Sequence, residues 1–221
     1  MVVLESLGFN FARARACPLK FWEIVDGITF DQISCQDLSE AADVFGSSYW
    51  TVHRVDLHKE LLRLALDDFG PEGKRNVTLK LSSPAARVIP SKGLVELEDG
   101  STYSADLIVA ADGLRSVVRP AVLTGENDNE KPHSPVPIST GLSAFRILIP
   151  TEALENDPTA RNLLERKISG ATLYADTTSS VKDRHLMWYE CRGYDTQCPS
   201  RFKMSKRMLT VGMAEARCRI L

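Results

Sequence analysis

The sequence contains no Gly-x-Gly anywhere, so the usual turn that delivers a dinucleotide pyrophosphate to a helix N-terminus is missing from these residues. It also lacks any run approaching the roughly 18 apolar residues that a membrane-spanning helix needs. The opening Met1-Val2-Val3-Leu4 is cut by Glu5 and has neither the basic start nor the apolar core of a signal peptide. The expectation is a soluble cytoplasmic protein with no transmembrane segment. Cysteines 17, 35, 191, 198 and 218 are odd in number, widely spaced and without a Cys-x-x-Cys. They suggest neither a disulfide framework nor a zinc knuckle, and read as ordinary thiols in a reducing interior. The Asn76-Val77-Thr78 triplet means nothing without secretion. A net charge of −2 offers no basic excess for phosphates, and no aromatics interleave the basic clusters, so nucleic acid is not an expected partner. His53 and His58, five apart, lack a third ligand at suitable spacing, so no metal is expected.

What is present reads as an α/β chain. Leu19 to Val25, the turn Asp26-Gly27 and Ile28-Thr29-Phe30 predict a hairpin. Leu57, Leu61, Leu64, Ala65 and Phe69 then recur at helical spacing and predict one buried stripe, with Asp56 capping the helix and Gly70-Pro71 ending it. Val77 to Leu81 and Leu94 to Leu97 are strand candidates, and Glu98-Asp99-Gly100 is a turn into Tyr103. Ala105 to Ala111 reads as a strand buried on both faces, closed by Asp112-Gly113. Ser116 to Val122 begins a helix that Pro120 limits. Residues 125 to 139 have loop composition. Beyond them Leu142 to Ile149 reads as a strand, 158 to 167 as a helix, and Ala171 to Ala175 and His185 to Cys191 as further strands. Residues 192 to 221 are basic and weakly patterned, which suits a solvated terminus better than a membrane-surface segment.

Two segments carry chemistry on their residues alone. Residues 105–119 are a buried apolar run ending in Asp112 and Gly113, where the missing Cβ lets a ligand or another backbone approach closely. A helix starting near Leu114 would add free N–H groups to that crevice. Taken alone, an Asp-Gly turn after a buried strand is equally a structural commonplace. Arg54, just ahead of a helix, carries five donors suited to a pyrophosphate, or is simply a surface arginine.

Ile108-Val109, Ala110-Ala111, Asp112-Gly113, Ser116 and Arg119 together resemble the Asp-Gly motif of the FAD-dependent aromatic hydroxylases, the family of para-hydroxybenzoate and salicylate hydroxylases. A glycine is frequent where Ala110 stands. His53-Arg54-Val55-Asp56-Leu57-His58 is similar to a hallmark of the salicylate-hydroxylase-like branch. Ser143 to Pro150 and His185 to Arg192 are similar to its substrate-facing segments, with Glu190 in place of a usual proline. Leu7-Gly8-Phe9, Trp22 to Gly27 and Phe45-Gly46-Ser47 extend the similarity over about residues 1 to 191.

The resemblance implies an incomplete FAD-binding Rossmann-like domain of the para-hydroxybenzoate-hydroxylase type with a β-rich substrate module. It implies FAD as cofactor, held by Arg54, Asp112 and Gly113, and NAD(P)H and molecular oxygen as co-substrates. The partner is a small aromatic substrate, with Arg146 and Tyr189 as catalytic candidates. Residues 1–124 are expected to be a partial FAD-binding domain carrying part of the substrate sheet, 125–139 a loop, 140–191 the substrate module, and 192–221 a divergent tail. The family's opening strand, G-x-G-x-x-G loop and helix, and its distal Gly-Asp segment, are not in the sequence. Four or five lost apolar partners at about 1.5–3 kcal/mol each rival a domain's total stability of about 5–15 kcal/mol. The expectation is therefore a marginal fold that binds FAD very weakly. A non-catalytic remnant that binds an aromatic ligand or partner, and a flavin-dependent oxidase or halogenase on the same scaffold, are the alternatives.

Overall fold

The computed structural model describes residues 2–66, 77–124, 142–178 and 185–204. Helix α1 (Val2–Ser6) leads to β1 (Cys17–Pro18), then to β2 (Phe21–Asp26) and β3 (Gln32–Asp37). Helix α2 (Ala41–Phe45), strand β4 (Trp50–Thr51) and helix α3 (Arg54–Leu66) follow. Next come β5 (Ala85–Ile89), β6 (Leu94–Leu97), β7 (Thr102–Ser104) and α4 (Arg119–Thr124). The remainder is β8 (Leu142–Arg146), β9 (Ile149–Pro150), α5 (Thr151–Glu155), α6 (Pro158–Arg166), β10 (Gly170–Ala175), β11 (His185–Cys191) and β12 (Thr196–Met204). The chain divides into two compact units, one of Met1–Arg75 with Thr140–Leu221 and one of Asn76–Ser139. Among the described residues no helix is long and apolar enough to cross a membrane.

The larger unit is built on a sheet in the order β3-β2-β10-β11-β12-β8, with β9 also paired to β12. The expected hairpin is β2 and β3, antiparallel, with a bulge between Ile24 and Val25. Its return strand starts at Gln32 rather than Ile28, because the Asp26 carboxylate accepts from the Ile28 and Thr29 amides and holds residues 27–30 in the turn. Strand β2 pairs in parallel with β10, Trp22 opposite Ala171. Two stretches far apart in sequence thus share the centre of the sheet. Val25, Ala171, Trp188, Cys191 and Cys198 are buried there. Helix α6 begins as the sequence predicts: Asp157 accepts from the Ala160 amide at 2.8 Å and Pro158 needs no amide partner in the first turn.

Five sequence expectations are corrected. Helix α3 starts at Arg54, so Asp56 sits inside its first turn instead of capping it. Its stripe is not fully buried: Leu57 and Leu64 are half-buried and Leu61 and Ala65 exposed, while Glu60 is the buried residue. Phe69 lies outside the described residues. Val77 to Leu81 forms no strand, and its three large apolar side chains are exposed. Ala105 to Ala111 forms no strand either, with Leu107 and Val109 each 78% exposed. A strand buried on both faces needs a ladder neighbour on each side; here the Ala105 amide bonds to the Gly93 carbonyl, and no strand among the described residues pairs with the rest. Finally, residues 196–204, compositionally part of a weakly patterned terminus, are the strand β12 between β11 and β8. The loop at 125–139 and the terminus beyond 204 lie outside the described residues.

The smaller unit holds the antiparallel sheet β5-β6-β7. The Glu98-Asp99-Gly100 turn joins β6 to β7 as expected. Asp99 accepts from the Ser101 amide and hydroxyl, and Gly100 takes the positive φ of 83° that the turn requires.

Candidate active site

Sheet register decides where Arg146 and Tyr189 stand. Arg146 of β8 is opposite Ser200 of β12, and Tyr189 of β11 is opposite Cys198. Positions 198 and 200 lie on one face of β12, because side chains alternate along a strand. Arg146 and Tyr189 therefore occupy the same face, with the buried Cys198 and Ser200 between them, Sγ to Oγ 3.8 Å. Tyr189 is half-buried. Burial first, then the neighbouring Cys198 thiol, push its phenol up to about 12, while the Arg146 charge acts the other way. At neutral pH this hydroxyl keeps its proton and can donate to an oxygen. Arg146 is exposed and can pair a carboxylate.

The opposite face explains the glutamate at 190. Lys167, just past α6, pairs with the Glu190 carboxylate and donates to the carbonyls of Ile168 at 3.0 Å and Gly170 at 2.9 Å. Glu190 also accepts from the Gly170 amide at 3.1 Å. Beside them the fully buried Thr172 hydroxyl donates to Glu23 at 3.1 Å. Burial pulls the Lys167 ammonium below its ordinary range, and the Glu190 charge opposes that. Sequence reasoning saw that a glutamate departs from the expected pattern; it did not find the lysine that answers it.

Arg54 is exposed at the first position of α3, and no hydrogen bond or ion pair ties its guanidinium to the other described residues. Its neighbours are fixed. Asp56 accepts from Arg192 Nε at 2.9 Å and lies 3.8 Å from His53 Nδ1. Burial, then the positive Arg192, hold His53 below its ordinary value, so the ring is neutral at pH 7. Beneath the helix the buried Glu60 accepts from the Asn10 amide at 3.1 Å and from Arg63 at 2.6 Å, with Arg13 at 3.7 Å. Among the described residues no cluster of His, Cys, Asp and Glu could hold a metal.

In the smaller unit the Asp-Gly motif is a closed turn. The Asp112 carboxylate accepts from the Val117 and Val118 amides at 2.7 and 3.2 Å. The Ser116 hydroxyl, before these amides, holds it below the usual carboxylate range. Ser116 accepts from the Arg119 amide at 2.9 Å, and the Arg119 guanidinium donates to the carbonyls of Gly113 and Leu114 at 2.7 and 3.1 Å. The helix expected near Leu114 begins only at Arg119, and the Val117, Val118 and Arg119 amides at its start are capped by Asp112 and Ser116. Gly113 has φ +76°, and a Cβ added there would meet nothing within 4 Å. It opens on a cleft of about 250 Å³ between this turn and Val122 and Leu123 of α4.

These features suit FAD. The peptide at Gly113 faces open space that a flat or phosphorylated ligand can enter without meeting a side chain, and Arg54, unpaired among the described residues, can pair an anion. The two belong to different units.

No family model matches the sequence. Similar proteins are hispidin-3-hydroxylase of Neonothopanus nambi, 34% identical over 165 residues covering 71% of this chain and 36% of that protein, and the FAD-dependent monooxygenase phomE of Diaporthe leptostromiformis, 28% identical over 179 residues covering 81% and 45%. Among solved structures, a salicylate hydroxylase in complex with its substrate matches with a TM-score of 0.64 at 22% identity, over 94% of this chain and 47% of that one. That likeness shows the mixed α/β fold of the FAD-dependent hydroxylases. The chain spans less than half the length of these relatives. Its sequence relatives and its fold agree: the chain is similar to FAD-dependent monooxygenases and has the mixed α/β fold of the FAD-dependent hydroxylases.

Proposed function

We propose that the protein takes part in FAD-dependent hydroxylation of a small aromatic substrate, using NAD(P)H and molecular oxygen. The observation that carries this reading is the shared sheet face of Arg146 and Tyr189, a cation and a proton-retaining phenol with the small buried Cys198 and Ser200 between them. Arg146 pairs the carboxylate or phenolate of the substrate, and Tyr189 donates its hydrogen bond to a ring oxygen, fixing which carbon is presented. Arg54, with Asp112 shaping the turn that presents Gly113, holds FAD, which when bound supplies the redox chemistry that activates oxygen. By the same reading residues 1–124 contribute the cofactor-binding part and 140–191 the substrate module. Because the sequence has no Gly-x-Gly phosphate loop, this chain holds FAD weakly.

Flavin fluorescence titration tests the cofactor part. We expect saturable but weak binding that Arg54→Ala and Gly113→Val each reduce, and a purified chain that is not stoichiometrically yellow. Wild-type-like binding in both variants, or a stoichiometric yellow complex, contradicts it. Calorimetry with hydroxybenzoates tests the substrate part, with Tyr189→Phe and Arg146→Ala both weakening binding. The stretch around Leu107 and Val109, exposed and without a strand partner among the described residues, favours a second reading, an aromatic-ligand binder without turnover. NAD(P)H oxidation that rises with added phenol, and a product one oxygen atom heavier, separates the first from the second.

A further inference from the structure

On the sheet face away from Tyr189 and Arg146 the larger unit carries a second cavity, of about 490 Å³. Trp188 and Leu186 of β11 point into it and Tyr189 does not, since adjacent residues in a strand face opposite ways. Tyr174, opposite Leu186 in β10, shares that face. Phe30, Tyr174 and Trp188 form a chain of rings, with centroids 6.0 and 6.4 Å apart. Leu163 of α6 makes the facing wall and Ile28 part of the mouth.

The walls are held in place independently of any ligand. Trp188 Nε1 donates to Gln197 at 2.8 Å, and Gln197 in turn donates to Thr151 at 3.2 Å, so the indole cannot rotate away. The β2–β3 turn is tied to the end of β10 by the Gly27 amide on the Ala175 carbonyl at 2.7 Å and by the contact of Thr177 with Asp26. This turn has two features that a plain surface connection lacks. Phe30 adopts φ 64°, a left-handed conformation that a bulky side chain takes only at a cost. Ile28 and Phe30 also remain 56% and 44% exposed at its tip, where polar residues are the rule. The strain projects the Phe30 ring over Tyr174. A rigid aromatic wall with an apolar mouth, in the size range of small-molecule sites, is a binding pocket.

We propose that this cavity binds an uncharged, planar aromatic molecule larger than a single phenol, at a site separate from the Arg146–Tyr189 face. The ionisable groups at the mouth support a neutral ligand. Asp176 and His185 both have partners, and Asp176 accepts from the Thr178 amide and hydroxyl at 3.2 and 3.1 Å. The Tyr174 phenol, pushed up to about 12 by burial, stays protonated. The proposal does not depend on the activity proposed above, because no residue is shared between the two sites.

The test is titration of the full chain with 2-naphthol, by calorimetry and by quenching of tryptophan fluorescence. We expect one saturable site. Leu163→Trp, which fills the cavity, and Phe30→Ala, which removes a wall, should each weaken it about tenfold or more, while Arg146→Ala and Tyr189→Phe leave it unchanged. Far-UV circular dichroism establishes that each variant is folded, and Phe30→Ala, at an exposed turn, stands if Leu163→Trp fails to fold. Absence of saturation, wild-type affinity in both cavity variants, or an equal loss in Tyr189→Phe overturns the proposal. So does a dimer in sedimentation that Ile28→Asp dissociates, which would make the patch a contact between copies.

Discussion

Replacing Lys167 by methionine probes how the substrate-side sheet is held. The side chain is 1% exposed and the carboxylate it pairs with, on Glu190, 11% exposed; its charge also acts on Glu23 across the sheet. Methionine keeps most of the volume and removes the ammonium. The Glu190 carboxylate would be left in the interior with the Gly170 amide as its remaining donor, and Glu23 with the Thr172 hydroxyl. Removing one partner of a buried pair costs about 3–5 kcal/mol, because the other charge stays behind, and that is a large share of a domain's stability of about 5–15 kcal/mol. Replacing both partners removes the stranded charge, so Lys167→Met with Glu190→Leu should recover at least about half of the loss. Urea unfolding followed by Trp188 fluorescence and far-UV circular dichroism measures each variant. A loss below about 1 kcal/mol for Lys167→Met, in the range of an exposed pair, would refute the argument, and so would strict additivity of the two substitutions.

Two further outcomes follow from the same contacts. Glu60 is held below its ordinary 4.5 by the Arg63 hydrogen bonds first, and by the Asn10 amide and the nearby arginines. A depressed carboxylate stabilises the fold above its unfolded value, and that contribution is lost as pH falls through the lowered folded value. Glu60→Gln should therefore flatten the acid limb of a melting-temperature profile taken from about pH 7 to pH 3, and an unchanged limb contradicts this. Gly170 has φ +134°, and an added Cβ would lie 2.3 Å from the Phe21 carbonyl oxygen. Gly170→Ala should cost at least about 1–3 kcal/mol from backbone strain alone and separate β2 from β10, read as lost soluble yield or a lowered urea midpoint.

Local chemistry made the short-range elements legible. Asp26-Gly27 is a turn whatever surrounds it, because the Asp26 carboxylate caps the Ile28 and Thr29 amides. Asp157-Pro158 starts a helix for a comparable reason. The Asp112, Gly113, Ser116 and Arg119 spacing is one closed hydrogen-bonded turn, so it can be recognised as a motif from the residues alone. Arg146 and Tyr189 could be named as candidates from their segments, but not placed together, since their common face depends on the register of β12.

What the sequence by itself determined is the Asp26-Gly27 and Glu98-Asp99-Gly100 turns, the start of α6, the strand segments that became β2, β6, β8, β10 and β11, and the family likeness, all of which rest on residues close together along the chain. Only the tertiary structure decided which strands pair, and with that the burial of Glu60 inside an apparently apolar stripe, the Lys167–Glu190 pair, the inclusion of 196–204 in the sheet and the exposure of 105–111. An apolar run becomes a buried strand only where neighbours supply ladder hydrogen bonds and cover its faces. A charge can be buried only where its counter-charge arrives from elsewhere in the chain, and neither condition is written in local periodicity.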